Sequence, residues 1–242
     1  MDSIYPALSG ALAQEKWLEV VTNNLANANT GGFKKDRAVF AAVDPNVGVG
    51  APSFGRLDRV VPDLAPGPLR VTGEPLDVAL EGPAMFAVQT PDGVRYTRDG
   101  RFTLDPQGQL VTAGGFPVLG SGGPITLPAG SVTIDGDGRI AVKGTQVGAT
   151  PIEVDTVALA QIADPNSLQK VGGGLFAAPA AAPPAAGAVR VRQGMLEGSN
   201  VEPVEEMVAM IQILRAYEAS QKLIQTADEV AARAAQEIGR IA

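Results

Sequence analysis

The sequence predicts a mixed α and β fold in which long N- and C-terminal helices form a coiled-coil-like core region beside a central antiparallel β domain. Apolar residues of helical period occupy both ends of the 242-residue chain. The stretch between them is rich in Gly, Pro, Val and Thr, with turn signals every ~8–12 residues, which is typical of an antiparallel sandwich or barrel-like sheet. We therefore expect four regions: an N-terminal core helix over 1–33, an extended arm over 34–75, the β domain over 76–200 and a C-terminal core helix over 201–242.

The N-terminal helix is predicted from apolar residues at alternating three- and four-residue intervals, close to a heptad repeat. These residues are Ile4, Leu8, Ala11, Leu18 and Leu25. Glu15 and Thr22 occupy two positions of the same seam, so the repeat is imperfect. Asparagines crowd the end of the stretch and weaken the helix there. Gly31 and Gly32 then end it.

The C-terminal helix has the stronger signals. Pro203 suits the first helical position, and Glu205 and Glu206 lie near the positive end of the helix dipole. The apolar residues that recur along it include Met207, Ile211, Leu214, Tyr217 and Ile224. A helix over 203–238 is about 54 Å long at ~1.5 Å per residue. Such a helix is too long for one small domain, so we expect it to pack on other molecules. The alternative is that the apolar faces of both terminal helices pack within the same molecule.

Between the helices, Gly and Pro interrupt the chain and strands alternate with turns. Residues 41–75 show no lasting periodicity, so they are expected to be extended. Asp99-Gly100 lies between two β-like runs and predicts a hairpin. Residues 152–162 predict one long strand, and 177–188, rich in Ala and Pro, predict a flexible loop.

Composition excludes several classes of function. The chain contains neither Cys nor His, which excludes disulfides, thiolate nucleophiles, Cys/His zinc sites and histidine acid–base catalysis. A formal net charge of -7 argues against nonspecific binding to nucleic acid. No apolar run approaches ~18 residues, so no transmembrane segment is expected. The N-terminus lacks a basic region and an unbroken apolar stretch, so a secretory signal peptide is not expected either.

Short motifs that resemble catalytic or binding motifs lack their companions. Ser167-Leu168-Gln169-Lys170 matches the serine/lysine pattern of penicillin-recognising enzymes, but the other motifs of those enzymes are missing. Asp135-Gly136-Asp137-Gly138 resembles part of a calcium loop without its later ligands. We therefore expect no enzyme activity, no catalytic residue, no cofactor and no metal. A hydrolase that uses converging carboxylates stays a minor alternative.

Four motifs resemble those of the bacterial flagellar rod and hook protein family, and they follow in the order of that family. They are Leu25–Lys34 (LANANTGGFK), Tyr96–Phe102 (YTRDGRF) with the following GQLVT, Leu196–Val201 (LEGSNV) and Arg215–Glu218 (RAYE). The opening residues, the length and the stretch PVLGSGGPITLP are similar to a proximal rod member of the family, with a distal rod member as the second choice.

The resemblance implies a structural subunit of the flagellar basal-body rod, which lies in the periplasm. Such subunits assemble helically into a hollow shaft that transmits torque from the rotor to the hook. Implied partners are other copies of the chain, neighbouring rod proteins and the type III export apparatus, which exports family members without a cleaved signal peptide.

We expect the assembly interface to combine the apolar stripes with residues of the first motif. Its predicted residues are Ile4, Leu8, Ala11, Leu18, Leu25, Asn27, Phe33, Met207, Ile211, Leu214, Tyr217 and Ile224. A secreted β-domain binding protein is the alternative, and it predicts ordered ends and a discrete ligand pocket.

Overall fold

The computed structural model describes residues 4–42, 55–146, 148–162, 164–178, 183 and 189–241. The chain divides into two compact units. The helical unit comprises Met1–Ala26, Asp36–Val60 and Glu202–Ala242, and the β unit comprises Asn27–Lys35 and Val61–Val201. Each unit is therefore built from segments that are far apart in the sequence. The predicted loop over 177–188 lies largely outside the described residues.

The helical unit contains two helices and a pair of strands. These elements are α1 (Ile4–Ala26), β1 (Asp36–Ala42), β2 (Gly55–Pro62) and α2 (Pro203–Ile241). β1 pairs with β2, and α1 contacts α2. α2 begins at a proline, whose fixed φ suits the first turn, and carries Glu205 and Glu206 near the positive end of its dipole.

The predicted fold class, a mixed α and β fold with long N- and C-terminal helices in a coiled-coil-like core region, is wrong. The described residues form two α-helices, of which α1 is short at 23 residues, and the rest of them are mostly β-strands. A coiled coil requires large apolar side chains along a continuous seam. The described apolar side chains that α1 buries are all small or β-branched, whereas its Leu12 is 54% exposed. The buried apolar residues of α1 are Ala11, Ala13, Val20 and Val21.

The β unit has sixteen strands among its described residues. They are β3 (Leu69–Val71), β4 (Val78–Glu81), β5 (Ala84–Thr90), β6 (Gly93–Thr97), β7 (Phe102–Leu104), β8 (Leu110–Thr112), β9 (Leu119–Gly120), β10 (Gly123–Pro124), β11 (Ser131–Ile134), β12 (Arg139–Lys143), β13 (Ile152–Thr156), β14 (Leu159–Gln161), β15 (Gln169–Gly172), β16 (Leu175–Ala177), β17 (Arg190–Gln193) and β18 (Met195–Glu197). The largest sheet has the order β14-β5-β6-β16-β15, and a second has the order β11-β12-β13. The other strands form the pairs β17-β4, β18-β3, β7-β8 and β10-β9.

Strand β5 has apolar side chains on both faces because both faces are covered. Phe86 and Val88 belong to a larger apolar cluster, whereas Met85 and Ala87, which point the opposite way, belong to a smaller one. In the larger cluster the Phe86 ring packs edge-to-face on Phe102, with ring centroids 5.0 Å apart. The five-stranded sheet thus carries one apolar cluster on each side of β5.

Two local predictions are wrong because long-range pairing overrode the local signal. Asp99-Gly100 does not close a hairpin, since β6 pairs with β5 and β16 while β7 pairs with β8. The Gly100 carbonyl instead accepts the Val78 N–H at 3.0 Å. Residues 152–162 are not one strand either, because β13 and β14 belong to different sheets and are separated by two residues.

Candidate functional site

Three charged side chains from distant segments meet inside the β unit. Lys34 lies in the segment after α1, Arg98 follows β6, and Glu197 ends β18. Their side chains are 1%, 5% and 1% exposed. These three residues are named the clasp. Burial removes each charge from water, so the energy of the cluster depends on how well the three side chains pair and hydrogen-bond with one another.

The Glu197 carboxylate accepts hydrogen bonds from three donors. Lys34 Nζ donates to Oε1 at 2.6 Å, and the Gly67 N–H donates to the same oxygen at 2.8 Å. Arg98 Nε donates to Oε2. One side chain therefore joins three segments that precede it by about a hundred residues or more.

The Arg98 guanidinium also organises the connection between β4 and β5. Nη2 donates to the Leu80 carbonyl at 2.7 Å, and Nη1 donates to the Gly82 carbonyl at 2.9 Å and to that of Ala84. A guanidinium has five N–H donors in a rigid plane, which allows it to serve several carbonyls and a carboxylate at once. Arg98 thus couples the start of β5, a strand of the large sheet, to Glu197.

Backbone and amide hydrogen bonds reinforce the clasp. The Gly32 N–H donates to the Glu197 carbonyl at 2.8 Å. Asn200 Oδ1 accepts the Lys35 N–H at 2.7 Å, while Asn200 Nδ2 donates to the Asp63 carbonyl at 2.9 Å. Asn200 serves both as acceptor and as donor, so it holds the segment after α1 and the segment after β2 together.

Two glycines allow the segments around the clasp to approach one another. Gly32 has a φ of 66°, and a Cβ on it would lie 2.3 Å from the Asp99 nitrogen. A Cβ on Gly67 would lie 2.2 Å from the Gly198 carbonyl oxygen. Both distances are far below van der Waals contact, so these positions require glycine.

Lys170 on β15 holds the same segment from another side. Its Nζ donates to the Lys34 carbonyl at 2.6 Å and lies 4.1 Å from the centroid of the Phe33 ring. This is the geometry of a cation–π contact. The segment after α1 is therefore fixed by contacts from β15 as well as from β18.

Two cations share one carboxylate in the clasp. Burial by itself raises the pKa of Glu197, but the charge of Arg98 and the hydrogen bond from Lys34 outweigh it and hold that pKa below its ordinary value. Burial lowers the pKa of Lys34, and the hydrogen bond and charge of Glu197 only partly oppose this shift. Glu197 is therefore ionised at neutral pH and is the group on which both cations depend.

In the helical unit, Asn24 joins three elements in a comparable way. Its side chain is buried, its Nδ2 donates to the Asp36 carbonyl at 2.9 Å, and its Oδ1 accepts the Asp36 N–H at 2.8 Å. Nδ2 also lies 3.4 Å from Glu206 Oε2 on α2. Nearby elements pack through Trp17 and Phe40, whose rings meet edge-to-face with centroids 5.4 Å apart.

The residues predicted for the assembly interface lie in different environments. Exposed members are Met207, Ile211 and Leu214; buried members are Ala11 and Phe33; partly buried members are Leu18, Leu25, Asn27, Tyr217 and Ile224. The side chains of Ile4 and Leu8 lie outside the described residues.

One face of α2 carries a row of exposed apolar side chains. The α2 stripe is defined as Val204, Met207, Val208, Ile211 and Leu214, each between 41% and 69% exposed. Their spacing of three and four residues places them on one side of the helix. Ile213, which does not belong to this face, is buried. α2 is therefore covered on one side and bare on the other.

The segment that resembles a catalytic motif runs from a 3-10 helix (Pro165–Ser167) into β15, and the segment that resembles a calcium loop forms a turn. Ser167 Oγ donates to the Asp164 carbonyl at 2.7 Å. Asp135 Oδ1 accepts the N–H groups of Asp137 and Arg139, both at 2.9 Å, in the connection between β11 and β12. Asp side chains commonly stabilise turns by accepting backbone N–H groups in this way.

The described residues contain no cluster of three Asp or Glu side chains that could hold a metal ion. Likewise, no described helix is long and apolar enough to cross a membrane. A cavity of about 120 Å³ adjoins Lys34 and Arg98, but most of its lining is apolar, including Leu64, Met85 and Ile162. Since the polar groups of the clasp already bind one another, the clasp is suited to joining segments.

Sequence reasoning did not select the clasp residues, although each lies in one of the motifs. The available signal was a charged residue inside a short motif rich in Gly and apolar residues. That signal does not reveal which charges are buried, nor that Glu197 binds both others. Asn24 was read only as a residue that weakens a helix end, since its partner Asp36 lies beyond the helical pattern.

Comparison with known families finds three matched regions. Residues 4–34 match the family described as flagella basal body rod protein. Residues 79–142 match the D1 domain of the flagellar hook protein FlgE/F/G family. Residues 192–237 match the C-terminal region of the flagellar basal body rod FlgEFG proteins. Each matched region contributes one residue of the clasp.

Whole-length relatives carry the same names. The flagellar basal-body rod protein FlgF of Caulobacter vibrioides is 36% identical, with 99% of both chains covered. FlgF of Salmonella typhimurium is 39% identical, with 97% of both chains covered. The flagellar basal-body rod protein FlgG of Bacillus subtilis is 32% identical, covering 94% of this chain and 96% of the relative.

Proposed function

The chain belongs to the flagellar basal-body rod protein family, and we propose that within it the chain fills the FlgF-type, proximal position. It is a structural subunit of the bacterial flagellar basal-body rod and is located there. FlgF of Caulobacter vibrioides and of Salmonella typhimurium exceed FlgG of Bacillus subtilis in identity and coverage, which supports the proximal position over a FlgG-type, distal one. Exchange of genes tests this choice: the chain should restore a strain that lacks its proximal rod protein and fail in one that lacks the distal protein.

The α2 stripe is the observation that carries the proposed assembly. Five large apolar side chains lie exposed on one face of one helix. Each contributes ~1.5–3 kcal/mol when fully buried, against an ordering cost of ~1–2 kcal/mol for each residue that becomes fixed. Burial of the whole row against other copies of the chain and neighbouring rod proteins therefore favours association.

We propose that these contacts repeat along a helical, hollow shaft that transmits torque from the rotor to the hook. An open helical assembly requires contact between two different surfaces of successive subunits. The α2 stripe supplies one surface. The partly buried members of the predicted interface, which are Leu18, Leu25, Asn27, Tyr217 and Ile224, are proposed to add further contacts with neighbouring subunits.

We also propose that the type III export apparatus delivers the chain and that the chain has no catalytic activity. The absence of Cys supports passage in an extended form, because no disulfide has to be made or broken. The engagement of the clasp's polar groups with one another supports a purely structural role.

A pair of neighbouring substitutions on α2 tests the proposed interface. Ile211 is 52% exposed in the α2 stripe, and Gln212 is an exposed polar residue beside it. Ile211→Asp places a charge where an apolar contact is proposed, and burial of an unpaired charge is strongly unfavourable. We expect this variant to be exported and folded but absent from purified basal bodies, with loss of swimming. Gln212→Asp, the matched control, should be incorporated.

The two variants are compared by immunoblots of isolated basal bodies and by the diameter of swimming rings. Circular dichroism of the purified variants checks that both remain folded. Normal incorporation of Ile211→Asp would show that the α2 stripe is not the contact surface. Equal failure of both variants would mean that general damage to α2, instead of a lost apolar contact, causes the defect.

A further inference from the structure

We propose that the clasp is a folding checkpoint: the β unit has no stable fold until the segment that carries Glu197 has joined it. The checkpoint would defer completion of this unit to the end of its sequence. It is a property of the single chain and does not depend on the proposed place in the rod.

The cations of the clasp come early in the chain and the anion comes late. Lys34 precedes Glu197 by 163 residues, and Arg98 precedes it by 99. Synthesis proceeds from the N-terminus, so 196 of the 242 residues are made before the carboxylate appears. Through that interval both cations lack their partner in the clasp.

Folding of the earlier segments alone would bury positive charge without compensation. Arg98 donates to carbonyls at the connection of β4 and β5, so assembly of this part of the fold draws its guanidinium inside. Burial of charges that lack an opposite partner is strongly unfavourable. The carboxylate of Asp63 is a weak substitute, because its charge has the smallest effect among the groups that shift the pKa of Lys34. Asp63 also accepts the Ala65 N–H at 3.0 Å.

The strands beside Glu197 add to the same dependence. β18 pairs with β3 and β17 pairs with β4, so both earlier strands lack these neighbours until the late segment arrives. β4 also contributes Val78 and Leu80 to the larger apolar cluster. Electrostatics and strand pairing therefore both couple the central core to the last residues of the unit.

Native-state hydrogen exchange on the full-length, unassembled chain tests the checkpoint. Three amides report on the clasp, namely the N–H groups of Gly32, Lys35 and Gly67, which bond to residues 197 and 200. Amides of Leu110 and Val118 report on the core. If the core cannot persist without the late segment, both sets exchange only when the whole unit unfolds. Their protection factors should then agree within about threefold.

Independent opening of the late segment would give a different exchange pattern. Clasp amides that exchange about a hundredfold faster than core amides would mean that the late segment detaches while the core stays folded. That result would overturn the checkpoint. The comparison uses the natural sequence, so it remains decisive even where a variant fails to fold.

A substitution supplies the second arm of the test. Glu197→Gln should accelerate exchange of the clasp and core amides by the same factor. Glu153→Gln, at an exposed position of strand β13 in the same unit, is the matched control and should leave both sets unchanged. Acceleration of the clasp amides alone by Glu197→Gln would contradict the proposal.

Discussion

Glu197→Gln is expected to be the most damaging single change in the clasp. The substitution preserves the size of the side chain and removes its charge. Lys34 and Arg98 then remain buried with no carboxylate between them, since their side chains are 1% and 5% exposed. Lys34→Met is expected to be milder, because it leaves one cation opposite one anion.

The magnitudes follow from what each change leaves unpaired. Removal of one partner from a buried ion pair costs about 3–5 kcal/mol, and we expect Glu197→Gln near the upper end because two cations lose the same partner. Lys34→Met deprives the Ala65 carbonyl and Glu197 Oε1 of a donor, which costs about 1–3 kcal/mol. In the double variant Lys34→Met/Glu197→Gln, loss of the carboxylate leaves only Arg98 unpaired, because Lys34 has already been removed. The double variant should therefore lose less stability than the sum of the two single variants.

Urea unfolding followed by far-UV circular dichroism measures these free energies. The chain has one tryptophan, and Trp17 lies in the helical unit, so its fluorescence separates unfolding of that unit from that of the β unit. Exposed Glu153 provides the control: Glu153→Gln should change stability by less than about 0.5 kcal/mol. The reasoning would be refuted by a Glu197→Gln variant as stable as the control, or by a larger loss for Lys34→Met.

Three further outcomes are expected. The pKa of Glu197 is held below its ordinary value. Its contribution to the free energy of unfolding is therefore complete above about pH 4.3, the ordinary pKa of Glu, and is lost as the pH falls toward the folded-state pKa. The urea midpoints of the natural chain and Glu197→Gln should converge in acid, and they would not do so if the clasp were neutral. Gly67→Ala forces a Cβ to 2.2 Å from a carbonyl oxygen and should lower the free energy of unfolding by about 1–3 kcal/mol. Gly136→Ala, with open space around the Cβ, should not lower the urea midpoint. Asn24→Ala removes both hydrogen bonds to the start of β1 and should cost about 1–3 kcal/mol, read from Trp17 fluorescence; an equal loss in exposed Asn29→Ala would contradict the role of Asn24.

Some features of the fold were predictable because they depend on neighbouring residues. The start of α2 follows from Pro203 with two glutamates in the next turn. The Asp-Gly signal at residues 99–100 predicted a hairpin, but residues 98–100 form no turn and the flanking strands pair elsewhere. A local pattern therefore does not determine which strands pair.

The candidate site was harder to predict from the sequence. The predicted coiled-coil-like core was wrong for a related reason. Helical periodicity records which residues are apolar, but it does not record which side chains another element will cover. α1 buries small and β-branched residues and leaves Leu12 exposed. The assembly interface proposed on α2 remains a prediction that rests on exposed side chains and not on an observed partner.

The amino-acid sequence alone identifies the family through four motifs in a set order, and that prediction is confirmed by the matched families and relatives. It also determined a chain without thiol or imidazole chemistry. That Lys34, Arg98 and Glu197 form one buried cluster is visible only in the folded chain. The interaction energy of these three charges depends on the distances between them and on their burial. Lys34 and Arg98 lie 163 and 99 positions from Glu197, so those distances and that burial arise only when the chain has folded.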